Sequence, residues 1–336
     1  MHKELRCTRR GFLTAGVATG IGTLAGCALP AADKAAPVSP PPAPVAPINN
    51  GPATASAPIA SPRRIIKAIP SSGEWLPAIG LGTDAFRNDE RGAITAELKR
   101  MNELGGAVVD TAAAYGDSEA IIGEALESLA IRERVFLATK LVGESLTQPV
   151  GAESLARSLE RLRTRRVQLL QVHNLNGVAE LLPRMQEWRQ EGRIRYLGVT
   201  TSRTSQHAEL AETMRNHRLD FIQVDYSIGD REAAETILPL AHERGVAVLV
   251  NLPFGRASLF RQAAGRSLPP WAADIDVTSW AQYFLKYVIS HPAVTCAIPG
   301  STTVAHLEDN QAAGLGRVPD AAMRARMEQY WDAQAG

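Results

Sequence analysis

Three cysteines in 336 residues are too few for a disulfide framework. Basic charge is not in excess either, with 36 Lys and Arg against 35 Asp and Glu, which excludes nucleic acid as a partner. No Gly-x-Ser-x-Gly elbow occurs, and His and carboxylates do not recur at the spacing of metal ligands, so the expectation is no metal. No Gly-x-Gly-x-x-Gly follows the first strand signal: Ile79-Gly80-Leu81-Gly82-Thr83 comes nearest but does not continue into a glycine-rich helix start. What remains is ordinary globular material, 45% hydrophobic and 21% charged.

The charge is uneven along the chain. Residues 1–26 hold Lys3, Arg6, Arg9 and Arg10 against Glu4, a net +3 within a total of +1. Thr8-Arg9-Arg10-Gly11-Phe12-Leu13 is a twin-arginine pattern. The Gly/Thr/Ala-rich apolar stretch behind it, Gly11 to Gly26, is too short and mild to span a bilayer but suits an export signal. Leu24-Ala25-Gly26-Cys27 resembles a lipobox, in which Cys27 is lipidated and becomes the new N-terminus. Residues 1–27 thus read as a twin-arginine signal peptide with lipobox, implying the export machinery as a partner. Two or three acyl chains on Cys27 would hold the product on a membrane, in the periplasm or cell envelope. Residues 28–63 read as a Pro/Ala-rich linker, with ten prolines from Pro30 to Pro62. Residues 64–336 have the size of one barrel of eight βα units.

Short continuous apolar runs recur through that remainder: Ala78–Leu81, Ala107–Thr111, Val135–Thr139, Val167–Val172, Ile194–Val199, Phe221–Val224, Val246–Leu252 and Val294–Ile298. Continuous rather than alternating runs are the mark of strands buried on both faces of a parallel sheet. Helical periodicity lies between them, as in Leu155, Leu159, Leu162 and in Leu181, Met185, Trp188. Eight alternations predict an α/β fold, a (β/α)8 TIM barrel, ahead of an open doubly wound sheet.

In such a barrel the site lies where strands end. The second run carries Asp110 next to its end and leads to Tyr115, the third is followed by Lys140, and the fourth is followed by His173. Each has a bland reading as a cap, a loop aromatic or a packed imidazole; three consecutive strand ends carrying all four favour chemistry. A tyrosine ordinarily titrates near pH 10. A neighbouring ammonium would pull that value down, a carboxylate would hold the ammonium, and an imidazole would orient a carbonyl oxygen. Tyr115 is then a proton donor to a carbonyl.

Asp110-Thr111 through Tyr115-Gly116 to Ser118-Glu119, followed by Lys140 and His173, resembles the catalytic tetrad of the aldo-keto reductases. Ile79–Thr83, Phe221–Tyr226 and Ile298–Asn310 are similar to that family's first, sixth and eighth strand segments. The resemblance implies NAD(P)H-dependent reduction of aldehydes or ketones, or the reverse oxidation, with a small carbonyl substrate. It also implies a cofactor site built from Gly82, Thr83, Asp110, Thr200, Gln223, Asn251, Pro253, Phe254, Ser301, Thr302, His306, Asp309 and Asn310. Thr201 stands where the family has Asn, and Asn251 where an aromatic commonly stacks on the nicotinamide. The Lys and Arg that select NADP in the family are replaced by Gly300 and His306, with Arg256 as a substitute charge. Family habit favours NADP, and the missing cations favour NAD. The competing class is a barrel that binds nicotinamide without turnover, as a redox sensor or docking module. Substrate choice falls to Asp84-Ala85-Phe86, the segment after His173 and the insertion from Gly255 to Thr278.

Overall fold

A computed structural model describes residues 63–143 and 152–335; the segments read in the sequence as an export signal and a linker, with Cys27 and everything up to Pro62, lie outside the described residues. The described chain opens on an antiparallel hairpin, β1 (Ile66–Ala68) and β2 (Trp75–Pro77). Eight strands follow: β3 (Leu81–Gly82), β4 (Val108–Asp110), β5 (Phe136–Leu141), β6 (Val167–Val172), β7 (Ile194–Thr200), β8 (Phe221–Asp225), β9 (Ala247–Asn251) and β10 (Val294–Ala297). Each pairs in parallel with its sequence neighbour, in the order β3 to β10. Bridges from Ile79 to Ala297 and from Gly82 to Gly300 join the first strand to the last. The eight strand signals of the sequence are therefore one closed parallel barrel.

Helices α1 (Arg91–Glu103), α2 (Ser118–Ser128), α3 (Ala152–Arg161), α4 (Val178–Gln190), α5 (His207–Asn216) and α6 (Ile237–Glu243) fill the first six crossovers. The seventh carries α7 (Ser258–Ala263) and α8 (Trp280–Ile289), and α9 (Val304–Ala312) and α10 (Ala321–Ala335) follow β10. The periodic apolar positions face the sheet: Leu181, Met185 and Trp188 of α4 are buried, as is Leu155 of α3. Among the described residues, no helix is long and apolar enough to cross a membrane.

Closure of the barrel explains two glycines. A Cβ on Gly80 would lie 2.9 Å from the Val108 carbonyl oxygen, and one on Gly82 would lie 2.7 Å from that of Ile298. No side chain fits where the short first strand is squeezed between its two neighbours.

The hairpin is an addition to the expected βα order. Its strands have three residues each, too short to carry a readable alternation. It lies over the N-terminal end of the barrel, where Ile69 and Leu76 join Val108, Phe136, Phe221 and Ala247, the first residues of four strands. Inside, the rings of Phe136, Tyr196 and Phe221 pack 5.5–6.0 Å apart. Burying each such ring contributes about 2–3 kcal/mol. The Tyr196 hydroxyl is satisfied by Ser72 and Glu74 of the hairpin turn, 2.7 Å from each. This end of the barrel is shut, and the opposite end is open.

Candidate active site

Register delivers the polar residues. Gly82 pairs with Asp110, Asp110 with Ala138, and Lys140 with Gln171, so Lys140 and Gln171 stand level with each other, two residues further along the barrel than Asp110. Lys140 is 1% exposed, and its ammonium has three protons to place. It donates to Asp110 Oδ2 at 2.5 Å, to the Thr111 carbonyl oxygen at 2.9 Å and to the Tyr115 hydroxyl oxygen at 3.2 Å. Because the Tyr115 oxygen accepts from Lys140, its own proton remains free to be donated into the open end. Gln171 Nε2 donates to Asp110 Oδ1 at 3.3 Å, a support that sequence reasoning missed because nothing local marks Gln171.

Tyr115 itself is set by a tight turn after β4. Its N–H donates to the Ala112 carbonyl, and the Ser118 N–H donates to the Tyr115 carbonyl. The Ser118 hydroxyl, 3.0 Å from Thr111 Oγ1, donates to Thr83 Oγ1, and Thr83 Oγ1 donates to the Asp110 carbonyl. These buried hydroxyls tie the Tyr115 turn to β3 and β4. The Tyr115 and His173 rings meet edge to face, 5.8 Å apart at 82°. His173 opens the turn after β6, in which Asn174 and Leu175 adopt positive φ of 52° and 58°.

The electrostatics correct one expectation. Burial pushes the Tyr115 phenol above its ordinary value, and the Lys140 charge opposes this without reversing it. Burial alone would lower the Lys140 value, but Asp110 and Tyr115 overcome it and hold the amine charged. The lysine therefore does not make an acidic phenol; it limits the cost of the phenolate left when the proton departs. His173 is pushed down to about 4 by burial and by the Lys140 charge, so at neutral pH it is an uncharged imidazole that can still donate one hydrogen bond.

Asp110, Tyr115 and His173 line a cavity of about 820 Å³, within the ordinary size of ligand clefts, and Lys140 is buried off its wall. Residues 78–330 match the family model described as the aldo/keto reductase family. The chain belongs to the aldo/keto reductase family. This makes it an oxidoreductase that acts on carbonyl compounds with a nicotinamide cofactor. Methylglyoxal reductase YeaE of Escherichia coli is similar to this reductase, 32% identical over 254 residues covering 73% of this chain and 88% of that protein. An NADH-specific methylglyoxal reductase of Escherichia coli is 31% identical over 56% of this chain and 64% of its own length. Among solved structures, an aldo/keto reductase from Klebsiella pneumoniae in complex with NADP and acetate has a TM-score of 0.66 at 26% identity, covering 77% of this chain and 93% of that one.

Beyond Asp110, Tyr115 and His173, the reductase gathers Gly82, Thr83, Thr200, Gln223, Asn251, Pro253, Phe254, His306, Asp309 and Asn310 around this cavity. Ser301 and Thr302 are not on its wall; the Ser301 hydroxyl donates to the Thr303 carbonyl. Asp309 reaches the cavity, but both of its oxygens accept from the Ser279 hydroxyl and one also from Gln282 Nε2. It ties α9 to the start of α8. The Phe254 ring packs 4.8 Å from Phe260 and 6.5 Å from Phe284 rather than standing free. Ser202, Ser279 and Trp280 also line the cavity and were not singled out in the sequence; Asn174 and Ile298 line it too, from segments that were.

The cavity wall fits a dinucleotide on its own chemistry. Gln223 Oε1 and Asn251 Oδ1 are buried without a hydrogen-bond partner, two acceptors matched to the amide protons of a carboxamide. Asn251 Nδ2 is already used, donating to the Thr201 carbonyl at 2.9 Å. At the other end, Gly300 and His306 bring the N-terminus of α9 to the wall, where backbone N–H groups favour phosphate.

Proposed function

We propose that this reductase converts small aldehydes and ketones to alcohols, with Tyr115 as the proton donor. The observation that carries the reading is the buried Lys140 ammonium bridging the Asp110 carboxylate and the Tyr115 oxygen, both of which reach the cavity wall. Gln223 and Asn251 would hold the carboxamide end of the cofactor, Thr200 and Asn310 would flank it, and the start of α9 would receive phosphate. When bound there, the reduced nicotinamide supplies hydride to the carbonyl carbon. Tyr115 gives its proton to the carbonyl oxygen, and Lys140 stabilises the phenolate that remains. Asp110 keeps Lys140 charged and in place. Neutral His173 donates to the carbonyl oxygen and orients it.

Two similar proteins are methylglyoxal reductases, so 2-oxoaldehydes are the first substrates to try. NADPH is the expected cofactor, with Arg256 at the cavity wall supplying the fixed charge that Gly300 and His306 do not. Consumption of NADPH and NADH against a panel of aldehydes tests the activity. Tyr115→Phe should abolish turnover while leaving cofactor binding, read by fluorescence, intact. A wild type that binds cofactor and turns over none of the panel would leave a binding module instead. Arg256→Ser should weaken NADPH binding and spare NADH.

The N-terminal motifs support export of the folded barrel by the twin-arginine route and anchoring of the product in the cell envelope through lipidated Cys27. Cell fractionation of wild type and Cys27→Ser in high salt tests this, since only the variant should be released from membranes.

A further inference from the structure

The closed end of the barrel, opposite the cavity, carries an excess of positive charge. The seven turns that lead from helices into β4–β10 contain eight arginines, Arg132, Arg134, Arg163, Arg165, Arg166, Arg193, Arg218 and Arg244, against Glu133, Glu191 and Asp220, and a ninth, Arg195, is the second residue of β7. With Arg195 these positions hold +6, although the chain from Arg63 onward is −2 overall. Seven of the nine arginines are exposed. Arg134, Arg165, Arg218 and Arg244 have no ion-pair partner among the described residues, and Arg166 meets Glu133 only at 3.5 Å between two exposed side chains. A groove of about 820 Å³ runs between Arg163, Arg165, Arg166 and Arg193, with Glu133 and Glu160 on its edge.

The hairpin over the same end adds an apolar tip. Trp75 is 62% exposed and Ile66 47%, the two largest exposures among big hydrophobic residues of the described chain. The register pairs Ala68 with Trp75 and Ile66 with Pro77, which puts Ile66 and Trp75 on one face, while Leu76 between them turns into the barrel. An exposed indole beside arginines is the pairing that sits at a lipid–water interface, the ring among headgroups and the cations on phosphate.

We propose that this face docks on an anionic lipid bilayer, so that the cavity opens away from the membrane. Charge complementarity supports it, because an anionic leaflet attracts each nearby Lys or Arg. So does the place where the described chain starts: Arg63 stands three residues before β1, and the 36 residues from Ala28 to Arg63 reach at most about 120 Å from Cys27. A chain held that close needs only weak docking to lie down. The docking contacts themselves require no acyl chain.

The test uses the full chain with Cys27→Ser and vesicles of brominated phosphatidylcholine, with or without about one-third phosphatidylglycerol. All five tryptophans lie after Arg63, and Trp75 is the only exposed one, so quenching by bromine reports the depth of this face, whatever the signal segment does. Quenching with phosphatidylglycerol, reversed by salt and lost in Trp75→Ser, is expected. Arg165→Gln with Arg166→Gln should lower the docking equilibrium about 25-fold, fivefold for each arginine. Both variants change exposed residues outside the cavity, and unchanged carbonyl reduction verifies that they fold. No quenching on anionic vesicles, equal quenching without phosphatidylglycerol, or quenching retained in Trp75→Ser overturns the proposal. Concentration-dependent self-association that shields Trp75 without lipid also overturns it, and assigns the face to a second copy of the chain.

Discussion

Lys140→Met is the substitution that probes the proposed chemistry most directly. Lys140 Nζ lies 3.2 Å from the Tyr115 oxygen, and at an effective dielectric of about 20 a phenolate there gains about 5 kcal/mol from the ammonium. Part of that is lost to solvent at the open end of the cavity. General acid catalysis is ordinarily worth a hundred- to ten-thousandfold, so kcat should fall by about 10³. Cofactor affinity should move little, because Lys140 is not on the cavity wall. The same change strands Asp110, 2% exposed, with Gln171 as its remaining side-chain donor. Leaving a buried charge uncompensated costs about 3–5 kcal/mol of stability. Adding Asp110→Asn should restore most of that stability and none of the rate. Stopped-flow reduction and urea unfolding of the two single variants and the double variant measure both effects. A Lys140→Met enzyme with more than a tenth of wild-type kcat, or a double variant destabilised by the sum of the singles, would refute the reasoning.

Acid should destabilise the fold over a definite window. His173 and His291 are each held near 4 by burial, against 6.5 unfolded, so the unfolded chain binds more protons between those values. Their contribution is whole above pH 6.5 and lost as pH falls to 4, about 3 kcal/mol for His173 and less for the more exposed His291. Urea midpoints across pH 4–7 should fall with acid and flatten in His173→Gln/His291→Gln. Ala130, exposed with φ 53° just past the end of α2, should accept glycine with a gain of about 1 kcal/mol, visible as a melting temperature about 2 °C higher. Gly82→Ala should cost about 2 kcal/mol or more, because its Cβ would meet backbone at the barrel seam; an unchanged urea midpoint would show the seam to be loose.

The architecture was legible because it rests on local repetition. Doubly buried strands leave continuous apolar runs, and β6 begins and ends at the residues the pattern indicates, Val167 and Val172. The positions of Asp110, Lys140 and His173 followed from the same periodicity, since a polar residue closing an apolar strand falls on one rim. The hairpin was not legible, because three-residue strands carry no period. Nor was the Gln171 contact, which depends on a one-to-one register between β5 and β6. The cofactor segments were legible only as a resemblance. Which of their side chains face the cavity depended on α8, whose Ser279 and Gln282 engage Asp309 from about thirty residues away.

Order along the chain thus sufficed for the barrel, the family and the four polar residues at its rim, because each is written in neighbours a few positions apart. The direction in which the Tyr115 phenol shifts was decided only in three dimensions. Desolvation is a sum over everything packed around a group, contributed by segments distant in sequence, and here it outweighs the single nearby charge that the sequence made visible.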